Sequence, residues 1–387
     1  MKKNIAIIPL RKNSKGIKNK NKNKLIGRPL YSWTLGAAIF SKLDEVYIYS
    51  DDKELLNFID KEYYWSKKVK TILRPDYTAT DTASTELAIV EFVNELNEEF
   101  ATITLLQATS PLTTSLDINN SLNLIHENGY DSSISVVRTK RFFWSEDVKP
   151  LNYDFINRPR RQDFNGCFVE NGAVYTTTWK QFSNSKNRIG GNIGITEMPE
   201  DTYYEIDSMS DWLIVEKLLM NRLKSYKNNS KIKYLVLDVD GVFTDGSVYF
   251  NANGESLKKF DMRDGMGLEI LRETGVEIFV MTSEESKLVE SRMKKLKIGN
   301  LYMGVKDKFS LLKKIILDRG EEFSAFAYVG DDINDLANLC SCGWSFSPNN
   351  ATEIAKINSD IILKNKSGDK AIREVTEFIK KYNKKYE

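Results

Sequence analysis

Acid–base chemistry in this chain must use carboxylates or lysines. The 387 residues include one histidine, His126, placed near the end of an expected helix, so histidine triads and zinc sites are excluded. Three cysteines, Cys167, Cys340 and Cys342, lack the spacing of a disulfide framework and point to a reducing, cytoplasmic setting. Cys340 and Cys342 stand too close together for a zinc knuckle and have no partner pair, so they read as core or loop thiols. Lys+Arg is 56 against Asp+Glu 54, a balance that argues against a general nucleic-acid binder. No apolar stretch approaches the roughly 20 residues of a membrane span.

Two groups of residues carry the candidate chemistry. The first is a basic loop after an apolar run at 5–8, reading Pro9-Leu10-Arg11-Lys12-Asn13-Ser14-Lys15-Gly16-Ile17-Lys18-Asn19-Lys20-Asn21. Backbone N–H groups, an arginine fork and lysine ammonium groups at a strand end can wrap a polyphosphate. It is not a Walker A loop, because the Gly-Lys-Ser/Thr ending is missing. A solvated lysine run or a nucleic-acid patch would use the same residues, but no aromatic residues interleave as single-strand binding requires. The second group follows the apolar run 234–237, as Asp238-Val239-Asp240-Gly241-Val242-Phe243-Thr244-Asp245-Gly246. An EF-hand loop would need its glycine sixth, and no buried strand would precede it. Further on, Tyr328-Val329-Gly330-Asp331-Asp332-Ile333-Asn334-Asp335 again puts acids after an apolar run, with Met281-Thr282 and Lys308 between.

The elements that must position these residues alternate between strand and helix. Strands are expected at 5–8, 46–49, 102–106, 132–137 and 172–176, with helices at 30–40, 116–126 and 211–224. A polar stretch without periodicity, 225–231, reads as a linker. Beyond it come strands at 234–237, 277–281 and 325–329 and helices near 267–274, 286–296 and 308–319. The fold class is α/β, two doubly wound domains at 1–224 and 232–387. Ligands in such sheets bind at the carboxyl ends of the strands, where the polar loops lie.

The first domain resembles the N-acylneuraminate cytidylyltransferase family. The Arg11 loop, Arg74-Pro75, Asp81-Thr82-Ala83-Ser84-Thr85, Leu105-Leu106-Gln107-Ala108-Thr109-Ser110-Pro111-Leu112, Asn171-Gly172-Ala173-Val174-Tyr175 and Ile206-Asp207 carry the likeness in order. It implies a Rossmann-like nucleotidyltransferase using CTP, Mg²⁺ and a 2-keto nonulosonic acid. By that analogy Arg11, Ser14, Lys15, Lys20 and Asn21 hold the triphosphate, with Arg11 and Lys20 also catalytic. Arg74 and Thr85 line the cytidine pocket, Gln107 and Tyr175 face the sugar acid, and Asp207 with Glu205 holds Mg²⁺. Glu205 and Thr113 depart from common family residues.

The second domain resembles the haloacid dehalogenase superfamily of phosphatases. The likeness implies that Asp238 is the nucleophile, Asp240 the acid and then the base, and that Thr282 and Lys308 bind phosphoryl oxygens. A second Mg²⁺ would sit on Asp238, the Asp240 carbonyl and Asp331, with Asp332 and Asp335 as further candidates. Only 44 positions separate Asp238 from Thr282, too few for an inserted cap domain. A projecting hairpin is expected instead at 247–250 and 255–260. This is the capless arrangement of the octulosonate 8-phosphate and nonulosonate 9-phosphate phosphatases, whose tetramers this chain is expected to copy through its C-terminal domain. Glu284 and Lys295 resemble the nonulosonate version, and Gly368–Arg373 of one chain is expected to approach the Asp238 site of a neighbouring chain, where Arg373 would contact the sugar acid's carboxylate. Removing the chain beyond Leu363 should then raise KM for the sugar phosphate alone.

Together the two resemblances imply a bifunctional cytoplasmic enzyme. It would hydrolyse a nonulosonate 9-phosphate and transfer CMP from CTP to the freed acid, without a nucleic-acid or membrane partner. An octulosonate enzyme is the nearest rival. A non-catalytic oligomerisation module at the C-terminus is another, opposed by the retention of Asp238, Asp240, Thr282, Lys308 and Asp331.

Overall fold

The computed structural model describes residues 2–14, 16–228 and 230–386. The chain forms two compact units, Met1–Asn23 with Pro29–Val215, and Lys24–Arg28 with Glu216–Glu387.

The first unit is built on a seven-stranded sheet. Its spatial order is Val69–Leu73, Glu45–Ser50, Asn4–Leu10, Thr102–Leu106, Cys167–Thr178, Ser132–Thr139, Ile193–Met198. The first four strands are parallel. Cys167–Thr178 runs antiparallel to both neighbours, so the doubly wound pattern carries one inverted strand. Alternation along Asn4–Leu10 divides the core. Ala6, Ile8 and Leu10 pack on one face with Leu35, Ile48 and Leu122, while Ile5 and Ile7 pack on the other with Phe92 and Leu105. Such strands, buried on both faces, explain why the apolar runs read as continuous. Helix Leu30–Ile39 starts directly after Pro29 and is buried on every side. Helix Ser115–His126 opens with a capping box between Thr114 and Asp117, and its last residue, His126, places Nε2 2.8 Å from Asn4 Oδ1. The strand order reverses between Asn4–Leu10 and Thr102–Leu106, which opens a crevice at their carboxyl ends.

The second unit holds a six-stranded, wholly parallel sheet. Its order is Asn300–Tyr302, Glu277–Met281, Tyr234–Leu237, Phe326–Val329, Trp344–Ser347, Ile361–Ile362. The reversal falls between Tyr234–Leu237 and Phe326–Val329, the two runs that end in acids. The hairpin is shorter than expected, pairing Tyr249–Asn251 with Gly254–Leu257, and it leaves Tyr249, Phe250 and Leu257 exposed. Cys340 and Cys342 are buried free thiols and Cys167 is half-buried. No helix among the described residues is long and apolar enough to cross a membrane.

Two expectations change. In the stretch read as a linker, Tyr226, Lys227 and Ser230 lie against residues of the second unit. Tyr226 stacks on Phe323 at 5.3 Å, Lys227 Nζ donates to Ser345 Oγ at 2.9 Å and pairs with Asp360, and Ser230 Oγ donates to the Ser324 carbonyl at 2.7 Å. These are contacts to distant residues, invisible in local composition. The tail is also no appendage. Helix Ala371–Asn383 buries Ala371, Ile372, Val375 and Ile379 in the core cluster with Leu237, Leu268 and Val280. Truncation after Leu363 would strip one wall of that core, so it cannot isolate a substrate contact.

Candidate functional site

In the first unit a cleft of about 530 Å³ opens at the sheet's switch point, lined by Pro9, Arg11, Ser14, Lys20, Asn21, Arg74, Thr85, Gln107, Glu205 and Asp207 among others. Lys15 lies outside the described residues. Arg11 donates from Nη1 to the Thr80 carbonyl at 3.2 Å and stands 3.5 Å from Asp81. Asn21 Nδ2 donates to the Arg11 carbonyl at 3.1 Å, which holds the basic loop in its turn. Lys20 Nζ donates to the Ile206 carbonyl at 2.8 Å and to Asp207 Oδ1 at 3.0 Å. Arg74 is buried, its guanidinium held by Thr78. Thr85 is the first residue of helix Thr85–Leu96, whose cap, Ser84, accepts from Leu87 N–H. That placement puts the helix's N-terminal end, Ser84 and Thr85, at the cleft wall.

Glu205 and Asp207 stand together among the cleft's acids, which also include Asp81. Burial, and after it the charge of Asp207, pushes the Glu205 carboxyl up to about 7 against the opposing pull of Lys20. A cation placed between them would stabilise both carboxylates in their charged form, so oxygen ligands of this kind suit Mg²⁺. Gly172, at φ +65°, lies under Glu205, where a β-carbon would come within 2.1 Å of Glu205 Oε1. Tyr175 is not among the residues lining the cleft. Its hydroxyl donates to Glu170 Oε2 at 3.1 Å, and the Arg188 guanidinium covers its ring at 5.1 Å while pairing with Glu86. Neither Glu170 nor Arg188 carried a motif that would have singled it out.

In the second unit the carboxyl ends of the two central strands bring Asp238 and Asp331 together. Oxygens of Asp238, Asp331 and Asp335 all lie within 4.8 Å of one another. Lys308 Nζ is 2.8 Å from both Asp238 Oδ1 and Asp335 Oδ1. Burial, then repulsion by Asp335 and Asp238, drives Asp331 up to about 8, and burial raises Asp238 as well. Burial works against the Lys308 charge, yet Asp238 and Asp335 outweigh it and keep the ammonium above its usual range. One lysine beside three carboxylates, Asp238 and Asp335 buried and Asp331 half-buried, leaves excess negative charge, and an oxygen-liganded divalent cation is what such a donor set fits. Asp335 is the more buried partner. It accepts from Tyr328 OH at 2.7 Å and from Asp331 N–H at 3.1 Å, so it orients the site as well as charging it. Asp332 instead caps the short turn after it.

Thr282 is buried at the end of Glu277–Met281, with Oγ1 accepting from Glu284 N–H at 3.3 Å. Asp240 stands beside Lys258, an ion pair at 2.7 Å that no motif foretold. Glu284 reaches Lys306 at 3.0 Å, and no hydrogen bond or ion pair among the described residues joins it to Lys295, which is exposed on helix Lys287–Lys295. Arg373 pairs along its own helix with Glu377, and its backbone N–H donates to Asp264. The preceding Gly368 lies against the Thr244–Asp245 turn of the same chain, where a β-carbon would come within 2.6 Å of Asp245 N.

A nucleotidyltransferase-type cleft in one α/β unit and a haloacid dehalogenase-type acid and lysine site in the other define the class of protein. Residues 5–175 match the family described as Cytidylyltransferase. The chain is 30% identical to N-acylneuraminate cytidylyltransferase A of Danio rerio over 98% of its length and 89% of that protein. It is 32% identical to N-acylneuraminate cytidylyltransferase of Oncorhynchus mykiss, again over 98% and 89%. It therefore belongs to the N-acylneuraminate cytidylyltransferase family. A further 33% identity joins 38% of the chain to 82% of the 3-deoxy-D-manno-octulosonate 8-phosphate phosphatase of Haemophilus influenzae.

Proposed function

We propose that the chain is a bifunctional enzyme. Residues 1–224 transfer CMP from CTP to a nonulosonic acid, and residues 232–387 hydrolyse the corresponding 9-phosphate. The observation that carries the second activity is Asp238, buried at a strand end and held by Lys308 beside Asp331 and Asp335. The relatives that align over nearly the whole chain are N-acylneuraminate enzymes, which supports a nine-carbon acid. The likeness to the Haemophilus octulosonate 8-phosphate phosphatase favours an eight-carbon substrate as the second reading.

In the transferase the sugar's anomeric hydroxyl oxygen attacks the α-phosphorus of CTP. The bond from that phosphorus to the bridging oxygen breaks, and pyrophosphate leaves. Arg11, Ser14 and Lys20 hold phosphate oxygens, Arg74 and Thr85 the cytidine, and Gln107 the acid. Glu205 stands ready to take the hydroxyl proton. In the phosphatase an Asp238 oxygen attacks phosphorus while Lys308 and Thr282 hold its oxygens. The bond to the sugar oxygen breaks, and Asp240 gives that oxygen a proton. Asp240 then takes a proton from water, whose oxygen attacks phosphorus, and phosphate leaves Asp238. Mg²⁺, when bound by Glu205 and Asp207 in one site and by Asp238, the Asp240 carbonyl and Asp331 in the other, neutralises phosphate charge. The exposed hairpin residues Tyr249, Phe250 and Leu257 support assembly through this unit, read as a homotetramer.

Asp238→Asn is the test. Phosphate release should fall to background while CMP transfer continues. Phosphate release near the wild-type rate would remove the nucleophile assignment, and with it the aspartyl-phosphate route.

A further inference from the structure

Lys258 and Lys259 are neighbours at the base of the hairpin, yet only one of them behaves as a surface lysine. The Lys259 side chain is 62% exposed and comes no nearer than 3.9 Å to Asp245. The Lys258 side chain is 2% exposed and lies between two carboxylates, 2.7 Å from Asp240 Oδ1 and 3.0 Å from Glu255 Oε1. An ammonium is withdrawn from water only when partners compensate it, and here both partners are specific. Glu255 is itself fixed, because its other oxygen accepts from the hydroxyl of buried Ser286. Ser286 directly precedes helix Lys287–Lys295. A continuous chain of contacts thus runs from Asp240 through Lys258 and Glu255 to that helix. The Thr244 hydroxyl also approaches Asp240 on Oδ1, at 3.4 Å. Both donors take the same oxygen.

We propose that Lys258 is the positioning residue for Asp240, pinning Oδ1 so that Oδ2 exchanges the proton with the leaving group and then with water. The proposal rests on the phosphatase reading and adds a residue to it. Lys258 touches no reacting atom, and it acts by fixing one carboxylate rotamer. The hairpin becomes part of the acid's support, since Glu255 and Lys258 both belong to it or to its base.

The full chain with Mg²⁺ provides the test, with two phosphate monoesters. One is whichever sugar-acid phosphate the wild type hydrolyses faster, a primary alkyl ester whose leaving group needs a proton. The other is p-nitrophenyl phosphate, whose leaving group departs without one. Lys258→Met should lower kcat for the alkyl ester about 30- to 100-fold, within the range of general acid catalysis, and for the aryl ester less than about fivefold. Lys258→Arg should recover most of the alkyl activity, and Lys258→Met should add no further alkyl loss to Asp240→Asn. CTP turnover and melting of the same preparations report folding. If Lys258→Met does not fold, Lys258→Gln is judged on the same ratio. Equal losses on both esters would overturn the positioning role while leaving the phosphatase intact. A wild type that hydrolyses neither ester would remove the phosphatase reading itself, and the proposal with it.

Discussion

Gly241 and Asp331 approach so closely that a β-carbon on Gly241 would lie 2.0 Å from Asp331 Oδ2. Gly241 also holds φ at +80°, a conformation that an alanine adopts only with strain. The glycine is therefore needed twice, for the turn after Asp240 and for the seat of Asp331. Gly241→Ala should cost about 1 kcal/mol from the backbone alone and more from the clash, lowering the melting temperature by a few degrees. Phosphate release should fall at least tenfold as Asp331 is displaced, with CMP transfer within twofold of wild type. Calorimetry and paired assays check both, and unchanged phosphatase activity would contradict the geometry.

The cation side of the transferase cleft should be as demanding. Arg11→Ala or Asp207→Ala removes charge stabilisation aimed at the transferring group, worth a few kcal/mol in comparable cases. CMP-sugar formation should drop about 100-fold or more, with phosphate release nearly unchanged. Turnover of CTP within severalfold of wild type in either variant would place the site elsewhere.

Substrate choice is read from kcat/KM, where discrimination is expressed. A nonulosonate 9-phosphate should exceed an octulosonate 8-phosphate. Glu284 is free of Lys295, so it can be tested alone. Glu284→Gly should shrink the ratio severalfold, and preference for the eight-carbon ester in the wild type would favour the second reading.

Assembly is open to the same directness. Light scattering should give a tetramer. Arg373→Ala removes a half-buried i,i+4 pair with Glu377, worth about 0.3–0.5 kcal/mol, and some packing on Gly267, so folding should be affected only modestly. KM for the sugar phosphate should rise severalfold and CTP kinetics should hold. A monomer with full phosphatase activity would overturn both the tetramer and the role of Arg373.

Some of this protein was readable without coordinates because it is local. The strands Thr102–Leu106 and Glu277–Met281 fall where apolar runs predicted them, since a strand buried on both faces admits few polar residues. Asp238 and Asp240 could be named because the same run that forms the strand also ends it, putting both acids at a carboxyl edge. Other features depended on residues far apart in the chain. Asp335 joins Asp238 only because two parallel strands, almost a hundred positions apart, lie side by side. Lys258 reads as half of an ordinary lysine pair, and only the fold buries one member against Asp240 and leaves the other in water. The tail's apolar spacing at Ala371, Ile372, Val375 and Ile379 marks a helix face, but only packing against Leu268 and Val280 makes it core. Local sequence sets which groups lie at the ends of strands; tertiary structure decides which charges are buried beside one another, and so which of them are held for chemistry.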